Sequence, residues 1–104
     1  MKYDEKQLTL NPKSHRLELE IDGNIAFIEY KLSHNILFLI HTEVPVALRG
    51  KGAGSAIVQK ALQYAKDNNY KIVPICPFVQ YYLNRNKGWN DMVAPNAERF
   101  IHKN

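Results

Sequence analysis

The 104 residues, 45% apolar and 23% charged, provide one hydrophobic core and leave no room for a second, so residues 1–104 read as a single domain. No apolar run approaches the ~20 residues of a membrane span, the opening MKYDEKQLTL lacks the apolar stretch of a secretion signal, and one cysteine, Cys76, excludes a disulfide framework or a site of several thiolates. A cytoplasmic protein without metal or membrane is therefore expected, and its net charge of +4 divides into −2 over residues 1–48 and +6 over 49–104, which suits an anionic partner for the second half.

The first 14 residues are polar, with a short strand over Gln7–Leu10 and a turn at Asn11-Pro12-Lys13-Ser14. From Arg16 to Ile21 apolar and polar residues alternate, as in a half-buried strand. Asp22-Gly23 follows, a dipeptide suited to a tight hairpin because both residues tolerate positive φ. A second strand covers about Asn24–Lys31. After a turn at Leu32–Asn35, Ile36–Thr42 is apolar on both faces, as in a central strand. Pro45 then limits sheet pairing. Ser55–Asn68 has the spacing of an amphipathic helix, with Ile57, Val58, Ala61, Leu62, Tyr64 and Ala65 on its buried stripe. Tyr70–Ile75 is a further strand, and Phe78–Asn86 a short helix with Pro77 at its start. The fold class expected is α+β (mixed α/β), an antiparallel meander leading into a central sheet.

Between the apolar strand and the long helix lies Arg49-Gly50-Lys51-Gly52-Ala53-Gly54-Ser55. Its three glycines allow sharp turning and close backbone approach. The helix that follows offers unpaired N–H groups and the positive end of its dipole, a setting for phosphate oxygens. A mononucleotide P-loop needs Gly-x-x-x-x-Gly-Lys-Ser/Thr, which is absent. A dinucleotide fingerprint fails too. Counting from Gly50, its third glycine position holds Ser55; the meander also argues against that fold.

Arg49-x-x-Gly52-x-Gly54 fits the Arg/Gln-x-x-Gly-x-Gly/Ala motif of the GNAT-type N-acetyltransferase superfamily. The chain more closely resembles a small single-domain branch of it, through His41-Thr42-Glu43-Val44-Pro45, Arg49-Gly50-Lys51-Gly52, Cys76-Pro77-Phe78 and then Tyr82. The likeness spans roughly residues 16–93. It implies a GNAT-like splayed sheet with a cofactor-binding helix and a short C-terminal helix, and an acetyl-CoA-dependent enzyme acting on an unidentified amine. The cofactor pyrophosphate would rest on Arg49, Gly50, Lys51, Gly52, Ala53, Gly54 and Ser55. The pantetheine arm of coenzyme A would run along the backbone after Thr42, pairing with Glu43, Val44 and Val46 where the central strand and the Tyr70–Ile75 strand diverge. Direct attack of the amine needs a base, for which His41 and Glu43 are candidates, and an acid, for which Tyr82 is chosen over Tyr81. Cys76, just before a helix, offers a covalent alternative as acetyl acceptor. His15, His34 and His102 receive no role.

Two departures stand out. Larger members carry two helices between their first strands, which wall the acceptor site. Here Asp22-Gly23 turns directly, so the acceptor side is expected to be open or completed by a second copy in a homodimer. Near relatives often have His-Pro-Glu-Tyr where this chain has Asn86-Lys87-Gly88-Trp89, so no acceptor contact is carried over there. Two other readings compete: a non-catalytic CoA-binding module, and a basic nucleic-acid-binding domain. The second is disfavoured because the Lys/Arg residues after position 48 are dispersed, with no aromatic-basic platform.

Overall fold

A five-stranded mixed sheet forms the frame, in the spatial order β1-β2-β3-β4-β5. The structure is a computed structural model that describes residues 3–101; His102 lies outside them. The strands are β1 (Thr9–Asn11), β2 (Arg16–Ile21), β3 (Asn24–Ser33), β4 (Ile36–Glu43) and β5 (Lys71–Pro74). Neighbours from β1 to β4 are antiparallel, and β5 runs parallel to β4. The parallel pair is joined by helix α1 (Ala53–Asp67), and α2 (Pro77–Arg85) follows β5. This is the mixed α+β class read from the sequence.

Both tight hairpins depend on left-handed backbone. Asp22 and Gly23 have φ of 51° and 80°, and His34 and Asn35 have 52° and 61°. That conformation matches the right-handed twist of the flanking strands. The second turn is shorter than the sequence suggested, since β3 continues to Ser33. The first strand lies at Thr9–Asn11 rather than Gln7–Leu10. Helix α1 starts two residues before the expected Ser55, because Gly52, with φ 82°, supplies the left-handed N-cap. Beyond α2, Lys87–Met92 and Pro95–Phe100 are 3₁₀ segments, and Val93 makes an isolated parallel bridge to Ile72.

The core lies between one sheet face and the helices. Leu17, Leu19, Ala26, Ile28, Leu37, Leu39 and Ile72 are fully buried against Ile57, Val58, Ala61, Leu62, Val79 and Leu83. Burial of each Leu, Ile or Val side chain among these stabilises the fold by roughly 1.5–3 kcal/mol. Arg16, Glu18, Glu20, Phe27 and Glu29 take the alternate positions of β2 and β3 and so point to the opposite face. There Arg16 covers the Phe27 ring at 3.8 Å.

Candidate functional site

β4 does not alternate regularly. Glu29 faces His41 and Tyr30 faces Leu39, so Ile40 is an extra residue in β4. Such a bulge leaves one residue without a partner and re-aims those after it. Strict alternation would put His41 and Glu43 on the buried face with Leu37 and Leu39. The bulge instead gives that face to Thr42, paired with buried Ile28, and sends His41 and Glu43 to the open face. There His41 Nε2 and Glu43 Oε2 stand 2.7 Å apart, both side chains about half exposed, at 53% and 48%.

β4 and β5 part company in the same region. Their last paired residues are Leu39 and Pro74. Pro74 has no N–H to donate. Ile75 N–H bonds back to the Val73 carbonyl, and Cys76 N–H donates to the Leu39 carbonyl at 2.9 Å. Pro77 then starts α2 in the first-turn position it favours. Ile40 to Glu43 are therefore unpaired along the β5 side of β4. Cys76 sits in this gap, buried, with Sγ 3.3 Å from Thr42 Oγ1.

The glycine-rich loop lies just past the end of β4. Pro45 caps a 3₁₀ turn over Val46–Leu48. The expected extended run therefore stops at Val44: Val46 is in the turn, 76% exposed, and its carbonyl accepts from Arg49 N–H. Gly50 and Gly52 are left-handed, with φ of 74° and 82°. The first backbone bond into α1 runs from Ala56 N–H to the Gly52 carbonyl at 3.0 Å, and no side chain caps the helix. In this geometry the N–H groups of Ala53, Gly54 and Ser55 have no intrahelical acceptor. The first turn of α1 contains no acidic residue.

These groups line an open hollow of about 290 Å³, with Val44, Leu48, Arg49, Gly50, Gly52 and Phe78 completing the wall. Arg49 is tethered through Nε to the Val44 carbonyl at 3.2 Å, which leaves its other N–H donors for an anion. A methyl group on Gly54 would come 2.8 Å from Phe78 Cζ, so this glycine is what lets the ring close over the first turn of α1. Converging backbone donors, a tethered guanidinium and missing side chains fit a phosphate-bearing ligand.

The other site candidates are distributed unevenly. Arg49, Gly50, Gly52, Ala53, Gly54 and Ser55 are brought together around the hollow, with Val44 beside them. Lys51 shares the loop, and its carbonyl accepts a bond from the Tyr3 hydroxyl at 3.1 Å. Tyr3 is buried against the loop; nothing in the polar opening segment marks it for that place. Phe78 also had no assigned role, although it belongs to the Cys76-Pro77-Phe78 motif.

Tyr82 is not brought to the hollow. It is buried, and the Trp89 indole N–H donates to its hydroxyl. Burial raises the pKa of this phenol, and the Trp89 bond lowers it less. Trp89 in turn lies over Lys66 Nζ at 6.0 Å. Lys66 is in the last turn of α1, about 20 Å along the helix from Ala53. Tyr81 is the tyrosine on the outer side, 57% exposed, with its ring stacked near Phe78 at 6.4 Å. Among the described residues no group of three or more His, Cys, Asp or Glu could hold a metal, and no helix is long and apolar enough to cross a membrane.

Comparison with known proteins bears on the family and the fold. A family model described as GCN5-related N-acetyl-transferase matches residues 16–92. Protein NATD1 of Gallus gallus and of Mus musculus is 32% identical over 65 residues, which is 62% of this chain and 58% of theirs. The match thus spans little more than half the length of these relatives. The solution structure of a GCN5-like candidate N-acetyltransferase from Staphylococcus aureus superposes with a TM-score of 0.64 at 23% identity, covering 85% of this chain and 87% of that one. That likeness is one of fold. With the family model spanning β2 to β5, the loop, α1 and α2, the chain belongs to the GCN5-related N-acetyltransferase family.

Proposed function

We propose that the chain binds acetyl-CoA and transfers its acetyl group to an amine. The observation that carries this reading is the row of unpaired N–H donors at Ala53–Ser55 lining a hollow beside the divergence of β4 from β5. When bound, acetyl-CoA supplies an acyl thioester, the electrophile for an amine. Gly52 to Ser55 and Arg49 hold phosphate oxygens. Thr42, Glu43 and Val44 offer backbone to an extended arm. Val46 is left out of that contact by its 3₁₀ turn.

His41 takes the proton from an incoming ammonium group, and Glu43 orients its imidazole through the 2.7 Å contact. Both groups stand on the open sheet face, where an acceptor can reach them. Tyr82 is not assigned the acid role, because its hydroxyl faces Trp89; when the C–S bond breaks, the coenzyme A thiolate leaves and takes its proton from water. Direct attack needs no covalent enzyme intermediate, and Cys76 then serves as a packed small residue bonded to Thr42. Turnover that survives Cys76→Ala supports direct attack, and its loss restores the covalent route.

One observation favours a second reading, a CoA-binding module without catalysis. β2 turns into β3 through two residues, so no helices wall the open face where an acceptor would sit. The test is calorimetric titration with acetyl-CoA, followed by thiol release across a panel of amines and peptides. Absence of binding at millimolar acetyl-CoA refutes both readings. Binding without release selects the module. Binding to DNA or RNA that weakens steeply with salt and ignores CoA would select the nucleic-acid reading instead.

A further inference from the structure

Three exposed side chains on α2 form a line that leaves the hollow. Phe78 lines the hollow itself. Tyr81 lies one turn on, its ring 6.4 Å from that of Phe78 with 30° between the planes. Arg85 lies one turn further, its guanidinium 5.4 Å from the Tyr81 ring centroid. Phe78 to Arg85 spans seven residues, about 10 Å along the helix. Large aromatics at 37% and 57% exposure are poor choices for a purely solvated face. Neither ring completes the core, which takes Val79, Tyr82 and Leu83 from the opposite side of the helix. Among the described residues Arg85 has no carboxylate partner.

The direction of the line matters. A ligand with its phosphates on Gly52–Ser55 and its acyl arm in the β4–β5 gap must send its remaining end away from that gap. Tyr3 closes the Lys51 side of the loop. The Phe78 side is open and continues into the strip. Resting on the acetyl-CoA reading above, we infer that Phe78, Tyr81 and Arg85 form the subsite for the nucleotide end of coenzyme A, with the adenine on the aromatic rings and Arg85 on the 3′-phosphate. Stacking suits a flat heteroaromatic base, and a guanidinium already ordered on Tyr81 suits a phosphate monoester.

Coenzyme A, 3′-dephospho-CoA and S-acetylpantetheine are titrated calorimetrically into the full chain. Coenzyme A is expected to bind roughly tenfold or more tightly than 3′-dephospho-CoA, as for one charge-assisted phosphate contact. Arg85→Ala should abolish that difference, weakening coenzyme A and leaving 3′-dephospho-CoA unchanged. Tyr81→Ala should weaken both nucleotides several-fold and spare S-acetylpantetheine. Equal affinity of the wild-type chain for coenzyme A and 3′-dephospho-CoA overturns the subsite while leaving the loop assignment standing, and needs no variant to fold. A tenfold preference that persists in Arg85→Ala also overturns it. No binding of any of the three refutes the acetyl-CoA reading, and the subsite with it.

Discussion

Two glycines of the loop should respond to the same substitution in opposite ways. A methyl group at Gly52 meets nothing within 4 Å, but the backbone there has φ of 82°. Alanine in the left-handed region costs roughly 1–2 kcal/mol, all of it backbone strain. For a domain of about this size each 1 kcal/mol shifts Tm by roughly 4–8 °C, so Gly52→Ala should lower Tm by roughly 4–16 °C. At Gly54 the backbone is helical and the obstacle is a side chain. The new Cβ would stand 2.8 Å from Phe78 Cζ and 3.0 Å from Cε2, with Val44 Cγ2 at 3.5 Å. Phe78 is partly exposed, so its ring can swing away. Alanine in a helix also gains up to about 1 kcal/mol over glycine, which offsets the lost ring contact. Gly54→Ala should therefore stay within about 1 kcal/mol of wild-type stability while pushing the ring across the hollow that it lines. Acetyl-CoA affinity should fall roughly tenfold or more, since about 1.4 kcal/mol of lost contact suffices. Replacing Phe78 by leucine in the same chain should restore part of it. Thermal melts and calorimetric titration of the three variants are the assay. A Gly54→Ala protein that binds acetyl-CoA as the wild type does would refute the reasoning, as would one that loses as much Tm as Gly52→Ala.

The remaining predictions concern side chains around the same site. Tyr3→Phe removes the hydroxyl that bonds the Lys51 carbonyl, a loss of about 0.5–1.5 kcal/mol; it should lower Tm by several degrees and weaken acetyl-CoA more than S-acetylpantetheine, which has no pyrophosphate to meet the loosened loop. Burial raises the pKa of Tyr82 and of Tyr64 above the ordinary value of 10.0, with Tyr70 and Tyr30 adding to the effect at Tyr64. Both phenols are thus harder to ionise in the folded chain. Their contribution to stability is complete below the unfolded pKa and is lost as pH climbs through the higher folded values. Melts from about pH 8 to 11 should be flat until roughly pH 10 and then fall, and Tyr82→Phe should fall less steeply. His41→Ala should cut thiol release by roughly 10²-fold or more with acetyl-CoA affinity unchanged, if its imidazole takes the amine's proton; equal losses in both would point to a binding role instead.

Much of the frame was legible because local chemistry determined it. Asp22-Gly23 announces a hairpin through backbone tolerance alone, and the Ile57–Ala65 stripe announces α1 through spacing. The glycine loop was legible for the same reason, since left-handed φ at Gly50 and Gly52 leaves few alternatives. His34-Asn35 was harder: both residues tolerate positive φ, yet neither is glycine, and the turn was read as longer than it is. What stayed hidden were facts that depend on two elements at once. The bulge at Ile40 lies inside an apolar run, where an extra residue changes no composition. It nevertheless decides which face His41 and Glu43 occupy. Helical spacing separates Tyr81 from Tyr82 by 100°, but only the packing of α2 on α1 says which of them is turned inward. Tyr3 reaches Lys51 across 48 positions of sequence, and no local pattern encodes that contact.

Three backbone features near β4 share a physical effect. A bulge, a proline and a left-handed glycine each cancel backbone pairing at one point, and here all three fall around the end of β4. Ile40 loses its partner on β3, Pro74 cannot donate to β4, and Gly52 leaves the first N–H groups of α1 without a cap. Unpaired backbone in a small protein costs stability unless something binds it or water reaches it. Of these, only the α1 donors line the hollow; Ile40 lies beside Glu29 and Tyr30 on the open sheet face, and Pro74 marks where β5 leaves β4, so a pyrophosphate could satisfy the α1 donors and an extended amide arm the β4 edge beyond Leu39. The acceptor side has no comparable concentration of unsatisfied groups. Its face carries the Ile40 bulge, with His41 and Glu43 already bonded to each other. That asymmetry makes acetyl-CoA affinity, rather than turnover, the measurement on which the proposed reading stands first.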